Sequence, residues 1–401
     1  MKPEALHLWR GPRWALSFLL ACLSMLGPFA VDAYLPAFAG MASALAVTPV
    51  QMQQTLAAFL LAFALMNLFH GALSDSIGRR PIVVGGTALF ALASIGCALS
   101  PDFATLMLFR VLQGMSAGAG MVVARAIVRD LFAAADAQRA MSQITLFFSI
   151  APIVAPLVGG LLFSLAGWAS IFWFLAAVAG LICLAHWRWL PESLPADKRQ
   201  VLNLSALLGG YRALLSNPRL WGLVAAGSLP FNAFFLYVLA APAFLGEGLK
   251  LAPAQFFILF IVTTAGIMAG AFSSGRLAGR IAPAKQVRLG SIVMVLAMAL
   301  HVAVNFALPA HPATHMPALG LFSFGWALTI PVITIMTLDL APERRGMVSS
   351  LQSCLGSTGN ALVAGVVAPL VMHSLQGLAL ASAMLWAGGA LAWWWVRRRA
   401  G

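Results

Sequence analysis

Two ionisable side chains lie inside apolar runs of this 401-residue chain: Asp32 in "GPFAVDAYLPAF" and Arg110 in "LMLFRVLQGMSAGAG". On insertion scales each costs at least ~2.5–3.5 kcal/mol at the centre of a bilayer. Burial makes a carboxyl hold its proton more tightly, and a neighbouring guanidinium makes it let go. A carboxyl balanced between the two can load a proton on one side and release it on the other. A static structural pair is the other reading of the same couple. The densest polar knot, "GALSDSIGRRP" at 71–81, offers ion pairing instead, through Ser74, Asp75, Arg79 and Arg80. No nucleophile–base pair and no H-E-x-x-H metal site is present, so no catalytic residue, metal ligand or cofactor is assigned.

The elements that must hold these groups follow from composition. The chain is 61% hydrophobic and 9% charged, with a mean hydropathy of +0.93. A soluble domain carries roughly 25% charged residues, so lipid is the solvent here and helices are expected to satisfy the backbone. Cys22, Cys97, Cys183 and Cys354 each fall in an apolar run without C-x-x-C spacing and read as packing residues. The first apolar run contains Gly27-Pro28 and Asp32 and lacks a cleavage site, so it reads as a span, not a signal peptide.

Runs of ~20 apolar residues give twelve spans, at about 14–37, 52–73, 81–99, 103–125, 138–164, 168–190, 219–244, 252–275, 286–307, 315–338, 346–372 and 376–396. The organisation is an N-terminal six-helix bundle at 1–190, a cytoplasmic linker at 191–218 and a C-terminal six-helix bundle at 219–401. With twelve spans, all 24 lysines and arginines except Arg110 and Lys250 fall on the side of the termini. That side is therefore cytoplasmic, and the net charge of +13 reports topology, not nucleic acid. In the final "WWWVRRR", aromatics at the interface precede Arg397, Arg398 and Arg399, a helix anchor.

Twelve spans in two sixes, with Gly71, Asp75, Gly78, Arg79 and Arg80 in the order G-x-x-x-D-x-x-G-R-[RK], resemble the major facilitator superfamily. The resemblance implies an all-α membrane fold of two pseudo-symmetric bundles, and a loop that latches the outward-facing conformation. Asp75 is expected to accept hydrogen bonds at the amino end of span eleven, near Gly346 to Ser350. Arg79 or Arg80 is expected to bridge to Asp130, and such contacts to cross between the halves. The second half keeps a weakened echo, "GRLAGRIAPAKQ" at 275–286, without the acid.

Three stretches narrow the branch. Span one carries D-x-Y-L-P from Asp32, "ARAIVRDLF" follows span four, and "APIVAPLVGG" in span five carries Pro152, Pro156, Gly159 and Gly160. The last is similar to the exporters' G-x-x-x-G-P-x-x-G-G element, with alanines at the first two glycine positions. Together they resemble the bicyclomycin-resistance group of drug–proton antiporters. That resemblance implies export of small amphiphilic antibiotics by alternating access, with Asp32 and Arg110 facing each other as the proton-coupling pair. Candidate cavity residues are Tyr34, Asn67, His70, Gln113 and Met115 in the first half, and Phe231, Asn232, Phe235 and Tyr237 on span seven, with His301 and Asn305 on span nine. His311 and His315 show no metal spacing. A single acid in the spans favours neutral or zwitterionic cargo of the phenicol or bicyclomycin type over dications.

The implied partners are a small-molecule drug, protons and membrane lipid, with no nucleic acid and a monomer as working unit. The implied location is the inner (cytoplasmic) membrane. No G-x-x-x-x-G-K-[ST] sequence is present, so an ion gradient is the expected energy source. The alternative with the same fold is a proton-coupled exporter of an endogenous metabolite such as an amino acid or sugar. A membrane enzyme lacks its motif here, and a sensor lacks a soluble output domain, since no loop exceeds about thirty residues.

Overall fold

The computed structural model describes residue 9 and residues 11–132 and 134–398, with side chains at all of these except 13, 134–139, 142, 143 and 145–149. The topogenic Lys2, Arg10 and Arg399 lie outside the described residues. Among the described residues all regular secondary structure is helical, and the chain divides into two units, Met1–Leu207 and Leu208–Gly401.

In the first unit the long helices are α1 (Arg13–Asp32), α2 (Pro49–Ile77), α3 (Arg79–Ala98), α4 (Phe103–Leu131), α5 (Ala134–Ala166) and α6 (Ala169–Trp189). In the second they are α7 (Pro218–Leu239), α8 (Phe257–Leu277), α9 (Pro283–Ala307), α10 (Pro317–Leu338), α11 (Arg345–Leu362) and α12 (Leu375–Arg398). Local chemistry sets their starts. Thr48 and Gln51 form a capping box ahead of Pro49, and Asn217 caps α7 ahead of Pro218. Asp102 accepts from Thr105 N–H at 2.8 Å; that bond holds its carboxyl below the usual range.

Eleven helices among the described residues are long and apolar enough to cross a membrane. The remaining candidate of the twelve expected, α5, is 33 residues long. Its stretch Ile150–Ala166 is apolar. Large apolar side chains such as Leu165, Leu181, Leu370 and Met384 stand exposed. Water would penalise such a surface; lipid does not.

Three expected spans are interrupted. Span one, read as continuous, ends its α-helix at Asp32 and resumes after a 3-10 turn at Leu35–Ala37, because Pro36 has no N–H to offer. Beyond α7 and α11 the chain continues as π-helical turns at Pro242–Gly248 and Val363–Val367. The second of these precedes Ala368-Pro369, where an N–H is again missing.

Each unit repeats one packing plan. In the first, α1 packs on α4, α5 and α6, α2 on α4, and α3 on α4 and α6. In the second, α7 packs on α10, α11 and α12, α8 on α10, and α9 on α10 and α12. Small residues let these helices approach. A Cβ at Gly114 of α4 would lie 2.2 Å from the Phe59 carbonyl of α2, and one at Gly266 of α8 would lie 2.1 Å from the Gly320 carbonyl of α10. The same helix pairs are close in both units, as duplicated six-helix bundles require.

Candidate functional site

In the first unit, α4 carries Arg110 and Gln113 one turn apart, and both are 0% exposed. The Arg110 guanidinium lies between two rings, 4.4 Å from the Tyr34 centroid and 4.5 Å from that of Phe59. Its Nη1 donates to Gln113 Oε1 at 2.5 Å and to the Ala30 carbonyl at 3.3 Å. Each neighbour is fixed in turn. Tyr34 Oη meets Thr55 Oγ1 at 2.8 Å, and Gln113 Nε2 donates to Ser94 Oγ at 2.8 Å. Nε and Nη2 of Arg110 have no hydrogen-bond partner among the described residues. A cation stripped of water is held here by two π faces, one side-chain amide and one backbone carbonyl, with donors to spare.

Asp32 ends α1, 5% exposed, two residues before Tyr34. The expected Asp32–Arg110 ion pair is not formed: among the described residues Asp32 makes no ion pair or hydrogen bond. The guanidinium is already engaged by Tyr34, Phe59, Gln113 and the Ala30 carbonyl. Next to Asp32, α5 crosses α1 at closest range. A Cβ on Gly159 would stand 1.7 Å from the Ala33 carbonyl oxygen. Pro152 and Pro156 sit inside α5, and Pro156, Gly159 and Gly160 are buried. The glycine of the span-five element therefore presses on the peptide that follows Asp32.

The polar loop forms a second centre in the same unit. Gly78 joins α2 to α3 with φ +117°, a conformation suited to glycine. Arg79, 7% exposed, is the arginine that reaches Asp130, with Nε 3.1 Å from Oδ2. Its Nη1 meets Asp75 Oδ1 at 2.5 Å and donates to Ser74 Oγ at 2.6 Å. Arg80 turns elsewhere, donating to the Trp187 carbonyl. The Arg79–Asp130 bridge lies wholly inside the first unit, so it does not cross between halves as expected. Gly71 lies on α2, where a Cβ would meet Val122 of α4 at 3.8 Å.

Sequence reasoning missed Glu192. Its two oxygens accept the backbone N–H groups of Arg79 at 3.0 Å and Arg80 at 3.2 Å, capping α3 where the helix dipole favours an anion. Arg199 Nη2 stands 3.9 Å from Glu192, and Gln200 N–H donates to the Asp75 carbonyl at 3.0 Å. The signal was an acid directly after span six in a chain with only 11 acids. The segment after α6 is thus pinned onto the α2–α3 loop.

The remaining cavity candidates separate into groups. Asn67 and His70, one turn apart on α2, lie against Gly118 of α4. In the second unit Phe231 stacks on Phe235 at 5.0 Å and meets Trp326 at 5.1 Å. Trp326, absent from the sequence reading, is tied by Nε1 to the Gly227 carbonyl at 3.0 Å. Asn232 is 0% exposed and donates to the Ser228 carbonyl at 3.0 Å. Tyr237 leaves this group and bonds His301 instead.

Residues 18–364 match the family described as the Major Facilitator Superfamily. The chain is 33% identical over 363 residues to the uncharacterized MFS-type transporter YdgK of Bacillus subtilis (strain 168), covering 90% of this chain and 89% of that one. It is 28% identical over 351 residues to the bicyclomycin resistance protein homolog of Haemophilus influenzae (strain ATCC 51907 / DSM 11121 / KW20 / Rd), covering 86% and 84%. A crystal structure of a bacterial homolog to the human lysosomal transporter Spinster, inward-facing and occupied, has the same fold. It superposes with a TM-score of 0.74 at 16% identity, covering 96% of this chain and 97% of that one.

Proposed function

This chain belongs to the Major Facilitator Superfamily, a multi-pass membrane transporter and not an enzyme, and from that premise we propose that it is a proton-coupled exporter of small amphiphilic antibiotics. It crosses the inner membrane twelve times, with both termini in the cytoplasm, and its cargo is neutral and phenicol- or bicyclomycin-like. The similarity to a bicyclomycin resistance protein homolog supports the drug reading.

One observation carries it: a buried carboxyl and a buried guanidinium are placed beside a helix break, and neither is neutralised by the other. An unpaired buried carboxylate is unfavourable, and taking a proton removes its charge. Asp32 is therefore the group at this site that can take up a proton and give it back as its surroundings change. Drug entry near Tyr34 and Phe59 disturbs the rings that hold Arg110, whose two free donors then stabilise the carboxylate. The proton leaves Asp32 as the drug is held. Because Asp32 lies at the α1 break and under α5, its change of charge moves backbone, which is what alternating access requires. The Asp75–Arg79–Asp130–Glu192 centre holds the cytoplasmic ends of α2, α3, α4 and α6 in one arrangement.

The test is purified protein in liposomes with a pH-sensitive dye inside. A phenicol and bicyclomycin are expected to evoke proton movement that protein-free liposomes lack. Proton movement evoked by an amino acid or sugar, with neither antibiotic active, replaces this reading with that of a metabolite exporter.

A further inference from the structure

The second unit holds a buried polar cluster of its own. Tyr237 ends α7 at 0% exposure, His301 and Asn305 lie one turn apart on α9 at 1% and 3%, and His315 stands at 1% just before α10. Tyr237 Oη is 2.5 Å from His301 Nε2. Asn305 Nδ2 donates to the His301 carbonyl at 2.8 Å and stands 3.3 Å from the same Nε2. Two donors on Nε2 assign it the lone pair and place the ring hydrogen on Nδ1. Among the described residues that Nδ1 has no partner at hydrogen-bond distance, although the His315 backbone lies close to the ring.

His315 has the complementary arrangement. Its Nδ1 lies 3.1 Å from the His311 carbonyl, which can only accept, so Nδ1 carries the hydrogen. Thr314 Oγ1 stands at 2.9 Å from the same atom, while the His311 N–H, at 3.5 Å, is too far to compete. Among the described residues Nε2 of His315 is left as a bare acceptor with no partner, and so is Asn305 Oδ1. His301 lies within electrostatic reach of His315. Gln376 of α12 closes the cluster by donating to the Asn305 carbonyl at 3.1 Å. Leaving a buried polar atom unmade costs about 1–3 kcal/mol, and here one donor and two acceptors are open together.

We propose that His301 and His315 form a second proton-carrying site, at which a hydronium gives its proton to Nε2 of His315 and departs as water. The proposal rests on the drug–proton antiport reading. The titratable groups facing the site are Tyr237 from α7, His301 from α9, and His311 and His315 from the α9–α10 connection; α12 offers only neutral Gln376. Among the described residues no carboxylate, lysine or arginine contacts it. The exposed Glu247 and His373 pair with each other at 2.9 Å. On the charged ring the Nδ1 hydrogen stays on the His311 carbonyl, with the Thr314 hydroxyl beside it.

Two measurements test it. In liposomes clamped at zero membrane potential under a one-unit pH gradient, the limiting phenicol gradient falls about tenfold for each proton lost from the exchange. His315→Gln and His301→Gln are each expected to show that tenfold loss. In the wild-type protein, in lipid nanodiscs with 15N-labelled histidine, the His315 Nε2 signal, followed from about pH 8 down to about pH 5, is expected to move from bare towards protonated. Unchanged gradients in both variants, or a His315 Nε2 that stays bare across that range, overturn the proposal and leave drug–proton antiport standing. A wild-type protein that builds no phenicol gradient defeats the antiport reading instead, and the nanodisc titration then decides the proton site alone.

Discussion

Gly159→Val is expected to abolish drug-evoked proton movement in liposomes, whereas Gly180→Ala leaves it at the wild-type rate. A Cβ at Gly159 would meet the Ala33 carbonyl oxygen at 1.7 Å, while one at Gly180 meets nothing within 4 Å. The atom in the way is backbone, so no rotamer change relieves the clash, and α5 must move off α1. Overpacking of this kind costs about 1–3 kcal/mol in ordinary cores, and here the displaced peptide follows Asp32. Gly159→Ala makes the sharper test. It is expected to elute as folded protein in detergent and still lose most transport, because the α1 break moves while the bundle survives. Wild-type transport by Gly159→Ala would show that the close crossing is not required.

Arg110→Lys is expected to lower transport about thirtyfold, with the protein folded and inserted. An ammonium keeps the charge but is not a flat cation able to lie between two rings while donating to Gln113. A desolvated cation–π contact is worth about 2 kcal/mol, which corresponds to about thirtyfold. Tyr34→Phe keeps the ring and loses its hydroxyl, with the bond to Thr55, so its effect is expected to be several-fold smaller. Initial rates of phenicol efflux from energised vesicles, with membrane protein quantified, check both. Equal rates for Arg110→Lys and wild type would mean that charge alone matters at this position.

Much of this molecule was readable from residue order. Apolar run lengths located the helices, and the loop signature singled out Asp75, Gly78 and Arg79. The two charges within apolar runs marked the first-unit site. What spacing did not convey was the company each group keeps. Asp32 and Arg110 are opposite charges in a greasy region, and pairing is the simplest inference. Nothing in the order of residues shows that Tyr34 and Phe59 bracket the guanidinium first. Pro36 was visible, but its effect, ending α1 at Asp32, depends on how the following turn packs. Glu192 escaped because its partners Arg79 and Arg80 are more than a hundred residues earlier in the chain. Tyr237 was grouped with Phe231 and Phe235 by sequence proximity, yet it lies further along α7 and bonds His301 of α9 instead.

The central claim is that Asp32 carries the proton that drives export. Asp32→Asn keeps the size of the side chain and removes its proton exchange, so the variant separates carrying drug from carrying protons. In liposomes loaded with pH dye and phenicol, the ratio of protons to drug is expected to fall in Asp32→Asn by the one proton that Asp32 carries, while one-for-one phenicol exchange across the membrane continues. Proton flux persisting in the variant at the wild-type ratio of protons to drug would contradict the account.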